Sequence, residues 1–157
     1  SGLFARATRV FGADGLGLIS YHDATNGYVK VLHCGNLACN AGNAIRVLNP
    51  GLTSAIAIGS DGVATVWYSN NSGQMWVAHC LNSICEESWT DIGFTGIDPA
   101  LTTGSDGLGL MSYFDQGTSD LKLLRCVHVT CLQIDVMHAP ITLDSAGDVS
   151  RFGEVTA

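Results

Sequence analysis

The chain has 157 residues and a net charge of −7, with 13% charged side chains against 46% hydrophobic ones, 19 glycines and 3 prolines. This length allows a single domain with a sizeable core, and the composition is that of an ordered, turn-rich β protein rather than a disordered one. The 7 basic residues are scattered, so phosphate backbones and anionic membranes are poor partners, and no apolar run approaches the roughly 20 residues of a membrane span.

Taken in order, the predicted elements recur three times. A short strand (Thr8–Phe11, Ala55–Ile58, Ala100–Thr103) runs into an Asp-Gly turn at Asp14-Gly15, Asp61-Gly62 and Asp106-Gly107. There glycine accepts the positive φ that a hairpin demands. A second strand follows (Leu16–Tyr21, Ala64–Tyr68, Leu108–Tyr113), apolar on both alternating faces, as for a strand covered on both sides. After a polar loop comes a third strand (Tyr28–His33, Met75–His79, Leu121–Arg125), then a Cys-x4-Cys hairpin, then a less regular fourth strand (Ala44–Leu48, Trp89–Ile92, Val136–Leu143). Ala13–Cys39 and Ser105–Cys131 are identical at 12 of 27 positions without a gap, and Cys34, Cys80 and Cys126 are spaced by 46 and 46. A period in the mid-forties built from short strands and glycine turns predicts an all-β, propeller-like array of four-stranded antiparallel blades.

The blades span about 4–49, 50–96 and 97–146, and Arg151–Ala157 lies where a further first strand, about 149–157, would begin. The Ser1-Gly2 start holds no signal peptide and reads as a mature terminus or an expression scar. The strict repetition of Cys34/Cys39, Cys80/Cys85 and Cys126/Cys131 favours one local disulfide per blade, and hence an oxidising compartment, secreted or at the cell surface. The rival reading is zinc, but its cysteine pairs usually come closer together. His33 and His79 also give way to Arg125 in the third blade, and a guanidinium does not ligate metal.

The GxDGLxLxSYxD…KVxxC…C unit resembles the near-identical tandem blades of secreted bacterial β-propeller-type proteins. The resemblance implies the fold and leaves the activity open. Closed propellers have typically four to eight blades, and an open array of three would leave an apolar face and an edge strand bare. Completion by self-association is therefore expected, with a homodimer forming a six-bladed ring favoured over other rings or a fragment of a longer propeller.

Functional residues are expected on the face that carries the second-to-third strand loops and the connections between blades. Those loops hold His22, Asp23 and Asn26; Asn70, Asn71 and Gln74; and Asp115, Ser119 and Asp120. The connections add Asn49, Asp98, Asp144 and Asp148. His22, Asp23, Asp98, Asp115 and Asp144 are the candidate metal ligands, for calcium if carboxylates alone converge and for a transition metal if a histidine such as His22 or His138 joins them. Asp23 and Asp115 recur with Asn70 between them and also fit as turn residues bonding their own backbone, as do Asp14, Asp61 and Asp106. His22 breaks the repeat, its counterparts being Ser69 and Phe114. His33 and His79 read as polar strand ends, and His128 lacks an obvious partner.

The tryptophans all fall in the second blade. Trp67 is expected in blade packing, and Trp76, standing where the other blades have Lys30 and Lys122, is the candidate surface platform. Two functions follow. The first is a secreted binding or adhesion module, lectin-like, taking a glycan or small molecule through Trp76, Asn70, Asn71, Asp23 and Asp115. The alternative is a metal-dependent hydrolase with His22, Asp23 and Asp115 as its catalytic set at the central opening. Nothing matches a nucleophile elbow, a phosphate loop or a metalloprotease helix.

Overall fold

A computed structural model describes residues 7–132 and 139–146, including the side chains of all but 87–90. Every described element is a strand, and the strands form three four-stranded antiparallel sheets. The first holds β1 (Ala7–Phe11), β2 (Gly17–Asp23), β3 (Tyr28–His33) and β4 (Ala44–Pro50). The second holds β5 (Thr53–Ile58), β6 (Ala64–Ser69), β7 (Gln74–Cys80) and β8 (Glu87–Thr95). The third holds β9 (Ile97–Thr103), β10 (Gly109–Asp115), β11 (Asp120–Arg125) and β12 (Ile141–Asp144). Within each sheet, neighbours in the chain are neighbours in space.

The sheets match the three expected units. The fourth strand expected at Val136–Leu143 is described from Ile141, where Thr142 pairs with Lys122. The further strand expected over 149–157, together with His138 and Asp148, lies outside the described residues.

Local chemistry explains the turns. Asp14, Asp61 and Asp106 each accept a hydrogen bond through Oδ1 from the backbone N–H two residues on (Leu16, Val63, Leu108). The following glycine sits at φ between 75° and 79°. The cysteine pairs are disulfides, Cys34–Cys39, Cys80–Cys85 and Cys126–Cys131. In each hairpin the second cysteine adopts a left-handed φ (53°, 57°, 52°) and donates its N–H to the carbonyl three residues back. That conformation costs a non-glycine residue about 1 kcal/mol or more, so it persists only where the surroundings enforce it.

The second sheet lies between the other two, with β5 beside both β1 and β9. Strand β6 is consequently buried on both faces. One core cluster joins Leu18, Val29 and Val31 of the first sheet to Val66, Tyr68 and Ala78 of the second. The other joins Trp67, Met75 and Val77 of the second sheet to Met111, Tyr113 and Leu124 of the third. The two junctions are built alike. Each presents the β2/β3-type face carrying Ser20 or its counterpart Trp67 to the following sheet's face carrying Tyr68 or Tyr113. Among the described residues the three sheets do not close into a ring.

Candidate functional site

At the loop end of the first junction lies a groove of about 390 Å³. Its walls come from the end of β2 and its loop (His22, Ala24, Gly27), the connection to the second sheet (Pro50, Gly51, Leu52) and the β6–β7 loop (Asn70, Asn71, Ser72). The backbone fixes this shape. Gly51 N–H bonds to the Gly27 carbonyl at 3.1 Å, and Leu52 N–H to that of Ser69 at 2.7 Å, strapping the connection across both loops. Glycine is required at 51, because a Cβ there would stand 2.8 Å from Val29 Cγ2 and 3.3 Å from the Tyr68 ring.

Three of the residues singled out from sequence, His22, Asn70 and Asn71, therefore meet in one groove. Asn70 Oδ1 accepts from the N–H groups of Ser72 (2.9 Å) and Gln74 (3.0 Å), so its carbonyl shapes the loop. No side-chain hydrogen bond engages His22 or Asn71 among the described residues, and both remain available to a ligand.

The corresponding place at the second junction is occupied. Gln116, the counterpart of Asn71, lies over Gly73, its Oε1 2.5 Å from where a Cβ would stand. Asn71 is one methylene shorter, and its opposite number, Gly27, has nothing within 4 Å of a would-be Cβ. One methylene separates an open groove from a covered one.

The other candidates are engaged elsewhere. Asp23 bonds Lys30 Nζ at 2.5 Å and accepts from Asn26 Nδ2 at 2.7 Å. The lysine, then Asn26, hold its carboxyl well below the usual range, and Lys30 is raised in turn. Asp115 pairs with Lys122 at 2.5 Å. Burial raises its pKa, but Lys122 and the Gly117 N–H outweigh that and the net direction is down. Both carboxylates are ionised and neutralised by lysine at neutral pH, which suits scaffolding better than proton transfer. Asp144 accepts from Ala146 N–H at 2.9 Å, Asn49 donates to the Tyr68 hydroxyl at 3.0 Å, and Gln74 donates to Asp91 at 2.5 Å. Asp98 sits on β9, half-buried, at φ 53°. Among the described residues no three His, Cys, Asp or Glu side chains gather as a metal-ligand set.

Trp76 is half-buried, stacked on Tyr68 with ring centroids 5.7 Å apart, and packed against the first core cluster. Its ring therefore faces the protein. Trp67 is fully buried in the second cluster.

One recurring arrangement escaped the sequence reading. The turn aspartate of each sheet closes onto a basic residue at the end of the third strand, just before the first cysteine: Asp14 with His33 at 2.8 Å, Asp61 with His79 at 3.0 Å, and Asp106 with Arg125. The available signal was a basic residue at one fixed repeat position opposite an invariant acid. No protein-family model matches the chain, and no curated protein matches it.

Proposed function

We propose that this chain is a secreted binding module of the β-propeller type that holds a small, uncharged, hydroxyl-rich ligand, a glycan, in the groove between its first two sheets. The observation that carries this reading is the open groove at Asn71, where the equivalent place at the next junction is covered by Gln116. Its walls offer amide and imidazole donors and acceptors beside apolar surface from Pro50 and Leu52, the mixture that orients a small polar ligand. The three disulfides support an extracellular setting. The lysine-paired carboxylates favour binding over the metal-dependent hydrolase.

The test is a glycan array, followed by titration of any hit against Asn71→Gln and His22→Ala. Asn71→Gln is expected to abolish binding with the melting temperature unchanged, because the corresponding loop of the third sheet carries the longer side chain at Gln116. His22→Ala is expected to weaken binding about tenfold, the loss of roughly one good hydrogen bond. A wild-type chain that binds nothing on the array, or an Asn71→Gln variant that binds as well as wild type, would sink the reading.

A further inference from the structure

The two junctions between sheets share one construction, and each outer sheet keeps part of its half open. At the second junction, Val129 of the third sheet's cysteine hairpin seats on the glycine that opens the preceding turn, its Cγ2 2.8 Å from where a Cβ on Gly59 would stand. At the first junction, Ser83 of the second hairpin lines the hollow beside the equivalent Gly12 and Asp14. The repeat position of Val129 and Ser83 is held in the first sheet by Leu37, which is 87% exposed. On the same sheet, Phe11 is 74% exposed and Ile45 and Val47 are also open to solvent. Ile19 and Tyr21 are half-buried on the face they share with Val47 and Ile45, whereas their counterparts Val66 and Tyr68 are fully buried at the first junction.

On the third sheet the opposite half is open at the turn end, although Ser112 and Phe114 further along that face are buried. Its outward face carries a hollow of about 640 Å³ lined by Gly104, Asp106, Leu110, Leu123 and Arg125. In the first sheet the same positions are Gly12, Asp14, Leu18, Val31 and His33; Leu18 and Val31 pack against the second sheet, and Gly12 and Asp14 line the hollow between the two. Leu123 is half-buried where Val31 is 1% exposed.

We infer that a second copy of this chain docks head to tail, its Leu37 hairpin entering the hollow at Gly104 and Leu123, and that two copies close a six-sheet ring. The occupant is a second copy because the exposed residues of the first face and the open turn end of the third are matching parts of a junction that this chain already forms twice. A head-to-tail contact must close or it grows into a filament, and six sheets fall within the four to eight that close.

The experiment is absolute mass by light scattering across a dilution series of the whole chain, with three variants. The wild type is expected at twice the 16.5 kDa chain mass. Leu37→Asp is expected to halve that mass. Ser105→Trp, altering the exposed turn on the opposite face, is expected to halve it too. The counterpart Ser60 meets Gly107 of the next sheet, donating its backbone N–H to the carbonyl at 3.1 Å. Leu81→Asp is the control, since Leu81 is exposed on the central sheet, whose two faces are already covered; it should leave the mass unchanged. A wild type of single-chain mass throughout would overturn the inference. Association that survives Ser105→Trp while failing with Leu37→Asp would also overturn it, because that pattern means first sheets meeting face to face.

Discussion

At the scale of single residues, the turn aspartates do two jobs, and His79 shows what the second one demands. Its Nε2–H donates to Asp61 at 3.0 Å, and its Nδ1 accepts from the Thr65 hydroxyl at 3.0 Å, the pattern of a neutral imidazole. Burial lowers its pKa, partly opposed by Asp61 and helped by His128. The unfolded chain therefore binds this proton more readily than the folded one, so stability from His79 is in place above the unfolded value of 6.5 and is lost as pH falls below it. The expected outcome is a melting temperature that declines as pH drops through about 6.5, with that slope removed in His79→Gln. A second decline belongs below the ordinary carboxyl value of 3.8, where Asp14, Asp23, Asp106 and Asp115 all have lowered native values. A scan of melting temperature against pH separates the two windows. The signal for the acid-base closure lies in the repeat alignment, where Asp14, Asp61 and Asp106 are matched by a basic residue, His33, His79 or Arg125, at one fixed position. The burial of Trp76 could not be read there. Its lysine counterparts suggested exposure, but Lys30 and Lys122 are themselves half-buried against Asp23 and Asp115. In the second sheet Asn70 and Trp76 replace that ion pair together, and the ring stacks on Tyr68 instead.

At the scale of elements, the first three strands of each sheet were legible to within three residues at either end, because glycine turns and cysteine hairpins punctuate the chain at fixed intervals. Where the sequence was weakest, in the fourth strands, the spacing after the cysteine hairpin varies, β4 starting at Ala44 and β8 at Glu87. Their register with the third strand slips in every sheet, between Tyr28 and Lys30, Gln74 and Trp76, and Leu121 and Lys122. The disulfides hold the start of that last strand beside the third. Each closes a loop with a sequence separation of 5, for which loop-closure entropy gives about 2 kcal/mol. The paired replacement Cys80→Ser/Cys85→Ser is therefore expected to lower unfolding free energy by about 2 kcal/mol or somewhat more, since both sulfurs are fully buried. Urea unfolding with and without reductant measures it, and a variant as stable as wild type would show that the left-handed turn at Cys85 stands without its bridge.

At the scale of the molecule, the stacking of sheets determines what can be known of function. The apolar character of both faces was visible in sequence. Which face meets which was not, because the pairing depends on the direction in which successive sheets are offset. The groove at Asn71 depends on that offset as well, and so does the difference made by Gln116, 45 residues further along the chain. If copies associate as inferred, folding and assembly are linked by mass action. Unfolding midpoints of the wild type are then expected to rise with protein concentration, while those of Leu37→Asp stay constant. Calorimetry at several concentrations checks this, and a concentration-independent wild type would argue for a self-sufficient chain.

A unit whose one face fits the other face of its own kind has a consequence for heredity. Duplication of the coding segment in whole periods yields a protein that is already compatible with itself at the new seam, because no surface has to be invented to receive the added sheet. If copies associate as inferred, the constraint that remains is angular: each sheet would take one sector of a ring, and selection would act on how many sectors complete it. Divergence of single loop positions, one methylene at residue 71 among them, can then proceed seam by seam, so that a body built by copying acquires distinct recesses while its architecture stays the same.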